Sequence, residues 1–132
     1  LLTRMARCCS PVRGEEITGY ITRSRGVTVH RASCPNVVSE VERMVQVSWG
    51  KTRTLYPVRI RIEAWDRVGL LRDITSLMSD ERVNIASCVS EEYDDVSVIS
   101  LTVYILGIDQ LSLLFSRLEG IEGVMQVARA NS

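Results

Sequence analysis

The chain has 132 residues and no net charge at neutral pH, because sixteen Lys and Arg balance sixteen Asp and Glu. No apolar run approaches the roughly 18 residues that a membrane span requires, and Arg4 and Arg7 interrupt the stretch where a signal peptide would be apolar. These features exclude a membrane or secreted protein, so we expect a cytoplasmic location. The chain opens on Leu1, which indicates a fragment of a longer protein.

The charges are unevenly distributed along the chain. Residues 1–56 carry nine Lys or Arg against four Glu, whereas residues 57–132 carry seven Arg against twelve Asp or Glu. All but one of the basic residues are Arg, whose planar guanidinium fits phosphates and base edges better than Lys does. A basic first half beside an acidic second half predicts two units with different partners. The alternative is a positive face that is merely solvated.

The first unit begins with a predicted hairpin. Two β-type segments, Thr18–Thr22 and Val27–His30, flank a short connection that ends at Gly26. Because Gly adopts a positive φ at little cost, the connection predicts a tight turn with Arg23 and Arg25 at its tip.

A short helix is predicted to follow the hairpin. Ser33 is a candidate N-cap and Pro35 lies near the first turn. The apolar side of this helix is formed by Val37, Val38, Val41 and Met44. Residues 45–49 alternate as a strand does, and the polar residues 50–54 form the predicted linker.

The second unit has clearer periodicity. Apolar and charged residues alternate over residues 58–64, which predicts a strand with one buried face. After a loop at residues 65–69, a helix is predicted from the apolar stripe of Leu70, Leu71, Ile74, Leu77 and Met78. Two β-type runs, 83–93 and 96–106, form a predicted hairpin across Asp94 and Asp95.

The chain closes with a second helix and a last strand. Asp109 is the predicted cap of this helix, which ends at Gly120, and residues 124–128 form the strand. The β-α-β-β-α-β order predicts a four-stranded antiparallel sheet with two helices on one face. The predicted class is therefore α+β: a small β-rich Cys/His module with one short helix over residues 1–52, then a ferredoxin-like domain over residues 53–132.

Four residues of the first unit can form a metal site: Cys8, Cys9, His30 and Cys34. Thiolates and an imidazole are the ligands of tetrahedral zinc. Adjacent cysteines point in different directions along an extended chain, so both bind one ion only if the backbone bends sharply between them. The spacing leaves two interpretations open, a Zn²⁺ site or buried thiols beside a packed histidine. A catalytic or redox thiol is disfavoured, because no orienting carboxylate or amide lies at a suitable spacing.

The loop before the first helix of the second unit can bind an amino acid. The N-terminal N–H groups of a helix favour a carboxylate, and Gly69 permits close approach of the backbone. Asp66 can hold an α-ammonium group, and Asn84 and Ile85 can complete the pocket. The residues proposed for it are Asp66, Val68, Gly69, Leu70, Leu71, Asn84 and Ile85. The alternative is that Asp66 caps the helix and Gly69 makes the turn.

Three further residues are expected to be packed. Cys88 lies among apolar residues of the second strand of this unit, which predicts a buried or partly buried thiol. Trp49 and Trp65 lie at strand ends, where packing in the core or an interface is expected.

The chain resembles the long RelA/SpoT stringent-response proteins over nearly its whole length. These residues resemble the zinc-finger-like (ribosome-inter-subunit) module of that family: Ala6–Val12, Gly14, Glu15, Ile17, Gly19–Arg23, Arg25–Arg31 and Cys34–Asn36. The Asp-x-x-Gly-x-Leu pattern at residues 66–71 is similar to that of the ACT domain that follows the module. Ser33 stands where the family usually has Asp.

The resemblance implies a regulatory region whose parent protein synthesises or hydrolyses (p)ppGpp. The chain itself has no Gly-rich phosphate loop and no carboxylate cluster beside a basic pocket, so we expect no catalytic residues. The family implies docking on large-subunit ribosomal RNA near the A site, with Arg23, Arg25 and Arg31 reaching phosphates. It also implies a homodimer through the ACT domain, with valine or isoleucine as ligands.

Two other interpretations remain at this point. The chain can be the ACT-type regulatory region of an amino-acid metabolic enzyme, although the basic Cys/His module argues against it. It can also be a zinc-dependent RNA-binding module, which leaves the acidic second half unexplained.

Overall fold

The computed structural model describes residues 3–23, 26–38, 43–50 and 54–130. The first sheet consists of β1 (Thr3–Met5), β2 (Ile17–Ile21), β3 (Val27–Arg31) and β4 (Met44–Val45), in the order β1-β3-β2-β4. Strands β2 and β3 form the predicted antiparallel hairpin, and β1 pairs with β3 in parallel. The N–H of Thr22 donates to the carbonyl of Gly26 at 2.9 Å at the start of the turn. Arg25 lies outside the described residues.

The short helix predicted for this module is not found in its described part. Residues 35–38 form turns in which the N–H of Val38 donates to the carbonyl of Cys34 at 3.2 Å. Val41 lies outside the described residues, and Met44 belongs to β4. The predicted strand at 45–49 is likewise shorter and shifted.

Gly19 gives the physical reason for this shift. It pairs with Val45, and a Cβ at Gly19 would approach the Val45 and Val47 side chains to 2.8 Å. The missing side chain lets Val45 and Val47 pack closely on β2, and Met44, predicted on the apolar side of the helix, lies in β4 instead.

The second sheet is the predicted β-α-β-β-α-β unit. Its elements are β5 (Tyr56–Trp65), α1 (Leu70–Asp80), β6 (Asn84–Tyr93), β7 (Val96–Ile105), α2 (Ile108–Glu119) and β8 (Val124–Arg129). The strands follow the order β6-β7-β5-β8 and every neighbouring pair is antiparallel. The α+β class and this element order are therefore confirmed.

The main core lies between this sheet and its two helices. Alternate residues of β5 are buried, as the sequence pattern predicts, and they pack with Leu70, Ile74 and Met78 of α1 and Leu111, Leu114 and Leu118 of α2. Burying each such side chain stabilises the fold by about 1.5–3 kcal/mol. Neither helix has the length and apolarity that a membrane crossing requires, as judged over the described residues.

The first module packs directly on this core. Val12 is completely buried and belongs to the core of the second unit. The indole N–H of Trp49 donates to the carbonyl of Glu15 at 2.9 Å, and its ring meets Tyr56 edge-on with centroids 5.0 Å apart. Trp49 is therefore an interface residue, in agreement with the prediction.

Helix α2 begins differently from the prediction. Its N-cap is Gly107, with no side-chain cap, and Asp109 lies inside the first turn. The N–H of Ile108 donates to the carbonyl of Arg13 at 2.7 Å. A backbone carbonyl of the first module thus takes the place of the predicted aspartate cap. The negative charge of Asp109 in the first turn still interacts favourably with the positive end of the helix dipole.

Strand β6 is an edge strand, and this position corrects the prediction that Cys88 is packed. All ten of its residues except the half-buried Ile85 are exposed, including Cys88. The thiol is exposed because, among the described strands, β6 has a neighbour on one side only. Trp65, at the end of β5, is also exposed, at 54%.

Candidate functional site

The four predicted Cys and His ligands converge into one cluster, called here the Cys/His cluster: Cys8, Cys9, His30 and Cys34. Cys8 Sγ lies 3.6 Å from Cys34 Sγ and 3.4 Å from His30 Nδ1. Cys9 Sγ lies 3.7 Å from His30 Nδ1 and 4.0 Å from Cys8 Sγ. All four ligand atoms lie within 4.8 Å of one another. Three separate segments, the chain after β1, strand β3 and the turn after it, therefore supply one compact donor set.

The adjacent cysteines reach the same point because the backbone bends sharply after them. Ser10 has a φ of +45°, in the left-handed region that few non-glycine residues occupy. Its N–H donates to the carbonyl of Ala6 at 2.9 Å, which closes a turn around Cys8 and Cys9. The turn resolves the objection that an extended chain would point the two thiols apart.

Burial and hydrogen bonds together shift the pKa values of three members of the Cys/His cluster. Burial lowers the pKa of His30, so the imidazole is neutral near pH 7 and can offer a lone pair. Burial also raises the pKa of Cys9 to about 12. For Cys8 the effect of burial is outweighed by hydrogen bonds from the Asn36 and Cys34 side chains, and its pKa is lowered. Because several thiolates side by side repel one another, such a group is held in the thiolate form only by a cation.

The donor set fits tetrahedral zinc. With Zn–S bonds of about 2.3 Å, the ligand atoms of a tetrahedral site lie about 3.8 Å apart, close to the separations found in the Cys/His cluster. The N–H of Arg31 donates to Cys9 Sγ at 3.3 Å, a contact that would support a thiolate ligand. The cluster has the ligand types, the number and the spacing of a structural zinc site.

The predicted RNA-binding arginines are not all gathered at one place. Arg23 is exposed at the turn end of the β2–β3 hairpin. Arg31 pairs with Ile17 at the opposite end of the hairpin, and its guanidinium lies 3.8 Å from the Glu15 carboxylate. Arg31 therefore faces Glu15, with 27% of its side chain exposed, and its predicted contact with RNA stays a prediction.

Two arginines that were not singled out from the sequence line a pocket of about 400 Å³ beside the Cys/His cluster. Arg7 comes from the first module and Arg59 from β5, and the hydroxyl-bearing residues Ser10 and Thr102 lie between them. Among the described residues, no carboxylate lines this pocket. The sequence indicated only that nearly all basic residues are arginine, which cannot show which arginines share a surface.

The β5–α1 loop (residues 66–69) borders a shallow pocket of about 330 Å³ on the helix face of the sheet. Asp66, Gly69, Leu70 and Leu71 line it, as predicted. Its other walls include Ser90 and Glu92 of β6 and Ser97 of β7, all missed from the sequence. Four of the seven predicted residues thus come together at a helix N-terminus.

Asp66 does not cap α1, which corrects the alternative interpretation of this loop. Its carboxylate accepts a hydrogen bond from Ser97 Oγ at 2.9 Å, and Gly69 is the N-cap, with a φ of +86°. The left-handed φ explains the need for Gly at this position.

The remaining three predicted residues lie elsewhere. Val68 is fully exposed and does not line the pocket. Asn84 pairs with Tyr104 and Ile85 with Val103, whereas Glu92, which does line the pocket, pairs with Ser97 at the other end of the hairpin. Because β6 is ten residues long and runs towards the α1 N-terminus, its last residues line the pocket and its first residues lie at the far end of the strand.

Comparison with known proteins identifies both units. Residues 1–50 match the RelA/SpoT RIS domain, and residues 52–129 match the ACT domain. The crystal structure of the ACT domain from the GTP pyrophosphokinase of Chlorobium tepidum is similar with a TM-score of 0.54 and 28% identity, covering 58% of this chain and all of that one.

Longer relatives align with almost the entire chain. The GTP pyrophosphokinase of Streptomyces coelicolor is 40% identical over 134 residues, covering 98% of this chain and 16% of the relative. The bifunctional (p)ppGpp synthase/hydrolase RelA of Mycobacterium tuberculosis is 38% identical over 137 residues, covering 100% of this chain and 19% of the relative. The chain spans less than a fifth of the length of these relatives. It therefore belongs to the ACT-domain family and carries, ahead of that domain, the RIS domain of RelA/SpoT proteins.

Proposed function

We propose that this chain is the regulatory RIS–ACT region of a (p)ppGpp synthetase or hydrolase, and that it senses the ribosome through its first module. The observation that carries the proposal is the convergence of the Cys/His cluster beside exposed arginines. It occurs in a chain nearly all of which aligns with a part of the longer GTP pyrophosphokinases. An ACT region of an amino-acid metabolic enzyme would not need the RIS domain, which argues against that alternative.

Zinc is the proposed occupant of the Cys/His cluster. A bound Zn²⁺ supplies a cross-link between separate segments of a module too small to be held by its own core. The second core cluster consists of little more than Ala6, Cys9, Cys34 and Val37, which supports this role. The cluster's side chains would hold the ion, and the module would present its arginines from a fixed frame.

The proposed RNA surface consists of the exposed arginines of the first module together with the pocket next to the Cys/His cluster. Arg4, Arg7 and Arg23 are exposed, and Arg7 and Arg59 share the pocket that lacks carboxylates. Guanidinium groups placed in this way suit phosphate oxygens of the RNA backbone. Large-subunit RNA near the A site is the proposed partner, and Arg25 is proposed to assist Arg23.

The ribosome contact can be tested in the protein that carries this chain. Changing Arg7 and Arg23 to Glu should weaken cosedimentation with ribosomes by about tenfold or more. Raising the salt concentration should weaken ribosome binding by the unaltered protein more steeply than binding by the variant, because the variant has fewer phosphate contacts. Arg82→Glu is the matched control, because Arg82 is exposed in the turn between α1 and β6 of the acidic unit. Equal ribosome binding by the double variant and the control would contradict the RNA role.

The ACT domain is proposed to act as the second input. Its pocket combines the Asp66 and Glu92 carboxylates with Arg67 and Arg72, and these opposite charges suit a zwitterionic amino acid such as valine or isoleucine. Homodimers are proposed to form along the exposed edge of β6. Binding at either unit would shift the population of regulatory arrangements and so alter the parent catalytic domains.

A further inference from the structure

The last residue of the ACT sheet reaches into the first module. Arg129 ends β8 and pairs with Ile60, whose side chain lies on the buried, helix-covered face of the sheet. Its guanidinium Nη1 donates to Glu15 Oε2 at 2.8 Å. Both side chains are largely buried, at 14% and 13% exposure. A charge-assisted pair in this setting is far less screened than a surface ion pair.

The same guanidinium also holds the backbone that carries two of the cluster's cysteines. Arg129 Nη2 donates to the carbonyl of Cys9 at 3.2 Å and to the carbonyl of Ser10 at closer range. Ser10 is the residue with the left-handed φ that turns the chain after the cysteine pair. Arg129 therefore braces the strained bend on which the convergence of Cys8 and Cys9 depends.

Glu15 holds the other end of this segment, residues 8–15, called here the cysteine loop. Its Oε1 accepts a hydrogen bond from the N–H of Val12 at 2.9 Å, while Oε2 faces Arg129 and lies 3.8 Å from Arg31 Nη1. The backbone N–H of Arg31 in turn donates to Cys9 Sγ. One carboxylate and two arginines thus fix the cysteine loop from both ends.

The charges of this group complement a metal–thiolate centre. Two guanidiniums face one carboxylate, which leaves an excess of one positive charge in a mostly buried region. The Nε–H groups of Arg31 and Arg129 are buried without an acceptor among the described residues. Three thiolates around one Zn²⁺ carry one net negative charge, so the excess is balanced by the centre that the cysteines would hold.

We infer that Arg129 is a positioning residue for the Cys/His cluster and that, through Glu15 and the cysteine loop, it couples the ACT sheet to metal binding. The inference rests on the metal site proposed above. Because coupling between two sites is reciprocal, tighter order in β8 should raise metal affinity, and bound metal should protect β8. The ACT domain would then report on, and respond to, the state of the RIS domain through one side chain.

Metal affinity tests the inference. Arg129→Met keeps much of the length of the side chain but removes the guanidinium. It should weaken Zn²⁺ binding by about tenfold or more, the usual effect of losing a group that orients a metal ligand. Competition with a chromophoric chelator measures the affinity. Arg129→Lys keeps the charge but cannot bind the carboxylate and both carbonyls together, so it should lie between Arg129→Met and the unaltered chain. The charge-transfer spectrum of the Co²⁺-loaded chain should change in Arg129→Met.

Two control variants separate positioning from general loss of stability. Arg61→Met removes an arginine of the same sheet whose partner is Glu63 on the outer face, and it should leave metal affinity unchanged. Val127→Ala weakens β8 opposite Ile62 without touching the cysteine loop. This variant should lower the melting temperature. The spectrum of the fully Co²⁺-loaded chain should stay unaltered, because Arg129 still holds the cysteine loop.

Hydrogen exchange supplies the reciprocal measurement. Zn²⁺ should slow exchange of the β8 amides in the unaltered chain and should lose this effect in Arg129→Met. Equal metal affinity in the unaltered chain and Arg129→Met, or β8 protection that persists in the variant, would overturn the coupling while leaving the metal site intact. Failure of the unaltered chain to bind Zn²⁺ would instead overturn the metal site and the inference together.

Discussion

Individual residues in this chain acquire their roles from short-range geometry that residue type alone does not reveal. The thiols of adjacent residues such as Cys8 and Cys9 would point apart in an extended chain. The turn at Ser10, with its left-handed φ, brings both thiols to His30. Cys88 has the same chemistry as the clustered cysteines but lies exposed on β6. Substitution of a clustered cysteine and substitution of Cys88 are therefore expected to have different effects on metal content.

Cys34→Ser should abolish stoichiometric zinc, whereas Cys88→Ser should retain it. Serine is a poor ligand for zinc, and the loss of one of four ligands removes the cross-link between the turn after β3 and the cysteine loop. Elemental analysis of the reduced, purified chains measures this directly. Equal zinc content in the two variants would show that the Cys/His cluster is not the metal site.

Arg31 and Asp66 show the same limit of sequence interpretation. Both are charged residues in loops or at strand ends, where a surface role is the natural expectation. In the structure Arg31 turns towards Glu15, and Asp66 accepts a hydrogen bond from Ser97. Their partners are 16 and 31 positions away, so no local pattern indicates them.

At the scale of elements, the register of the β6–β7 hairpin decides which residues can share the ACT pocket. Glu92 lies opposite Ser97 beside the α1 N-terminus, while Asn84 lies opposite Tyr104 at the far end. The alternation of β5 and the apolar stripe of α1 could be predicted because both are local periodicities. Which end of β6 meets the β5–α1 loop depends on how the hairpin folds back.

Calorimetric titration with valine or isoleucine tests the proposed pocket. We expect heat of binding for the unaltered chain at millimolar ligand, and affinity at least tenfold lower for Asp66→Asn, because the variant removes the charge that faces the α-ammonium group. Asn84→Ala is the control, since Asn84 lies outside the pocket of its own chain. Absence of heat in the unaltered chain would reject amino-acid sensing by this region.

The exposed edge of β6 leads to a prediction about assembly. Val89 is 53% exposed near the middle of this ten-residue edge strand. Val89→Lys should shift a dimer towards monomer, because a charged side chain on an edge opposes pairing of strands from two copies. Sedimentation velocity at several concentrations measures the shift. A dimer that is indifferent to Val89→Lys, but present in the unaltered chain, would place the interface elsewhere.

At the scale of the whole molecule, the two matched domains share one core. Val12 of the RIS domain is completely buried among residues of the ACT domain, and the carbonyl of Arg13 accepts the first N–H of α2. Trp49 adds a ring contact with Tyr56 across the same junction. These contacts make independent unfolding of the two domains unfavourable.

Val12→Ala should destabilise the whole chain by about 2 kcal/mol, since it removes two buried methyl groups and leaves a cavity. Urea unfolding followed by circular dichroism and by tryptophan fluorescence should show one coincident transition that moves to lower urea. Val38→Ala, at a position that is 64% exposed in the same module, should change stability by less than about 0.5 kcal/mol. Two separate transitions, only one of them shifted, would contradict a shared core.

The sequence by itself determined the α+β class and the order of the ACT elements, and it indicated the four side chains of the Cys/His cluster, because each follows from local periodicity or residue type. Only the tertiary structure decided that the carbonyl of Arg13 caps α2 and that Gly19 allows Val45 to pack on β2. It also decided that Arg129 contacts the cysteine loop, 114 positions after Glu15. These are contacts between segments far apart in the chain. Their partners are chosen by packing, which no short stretch of residues can encode.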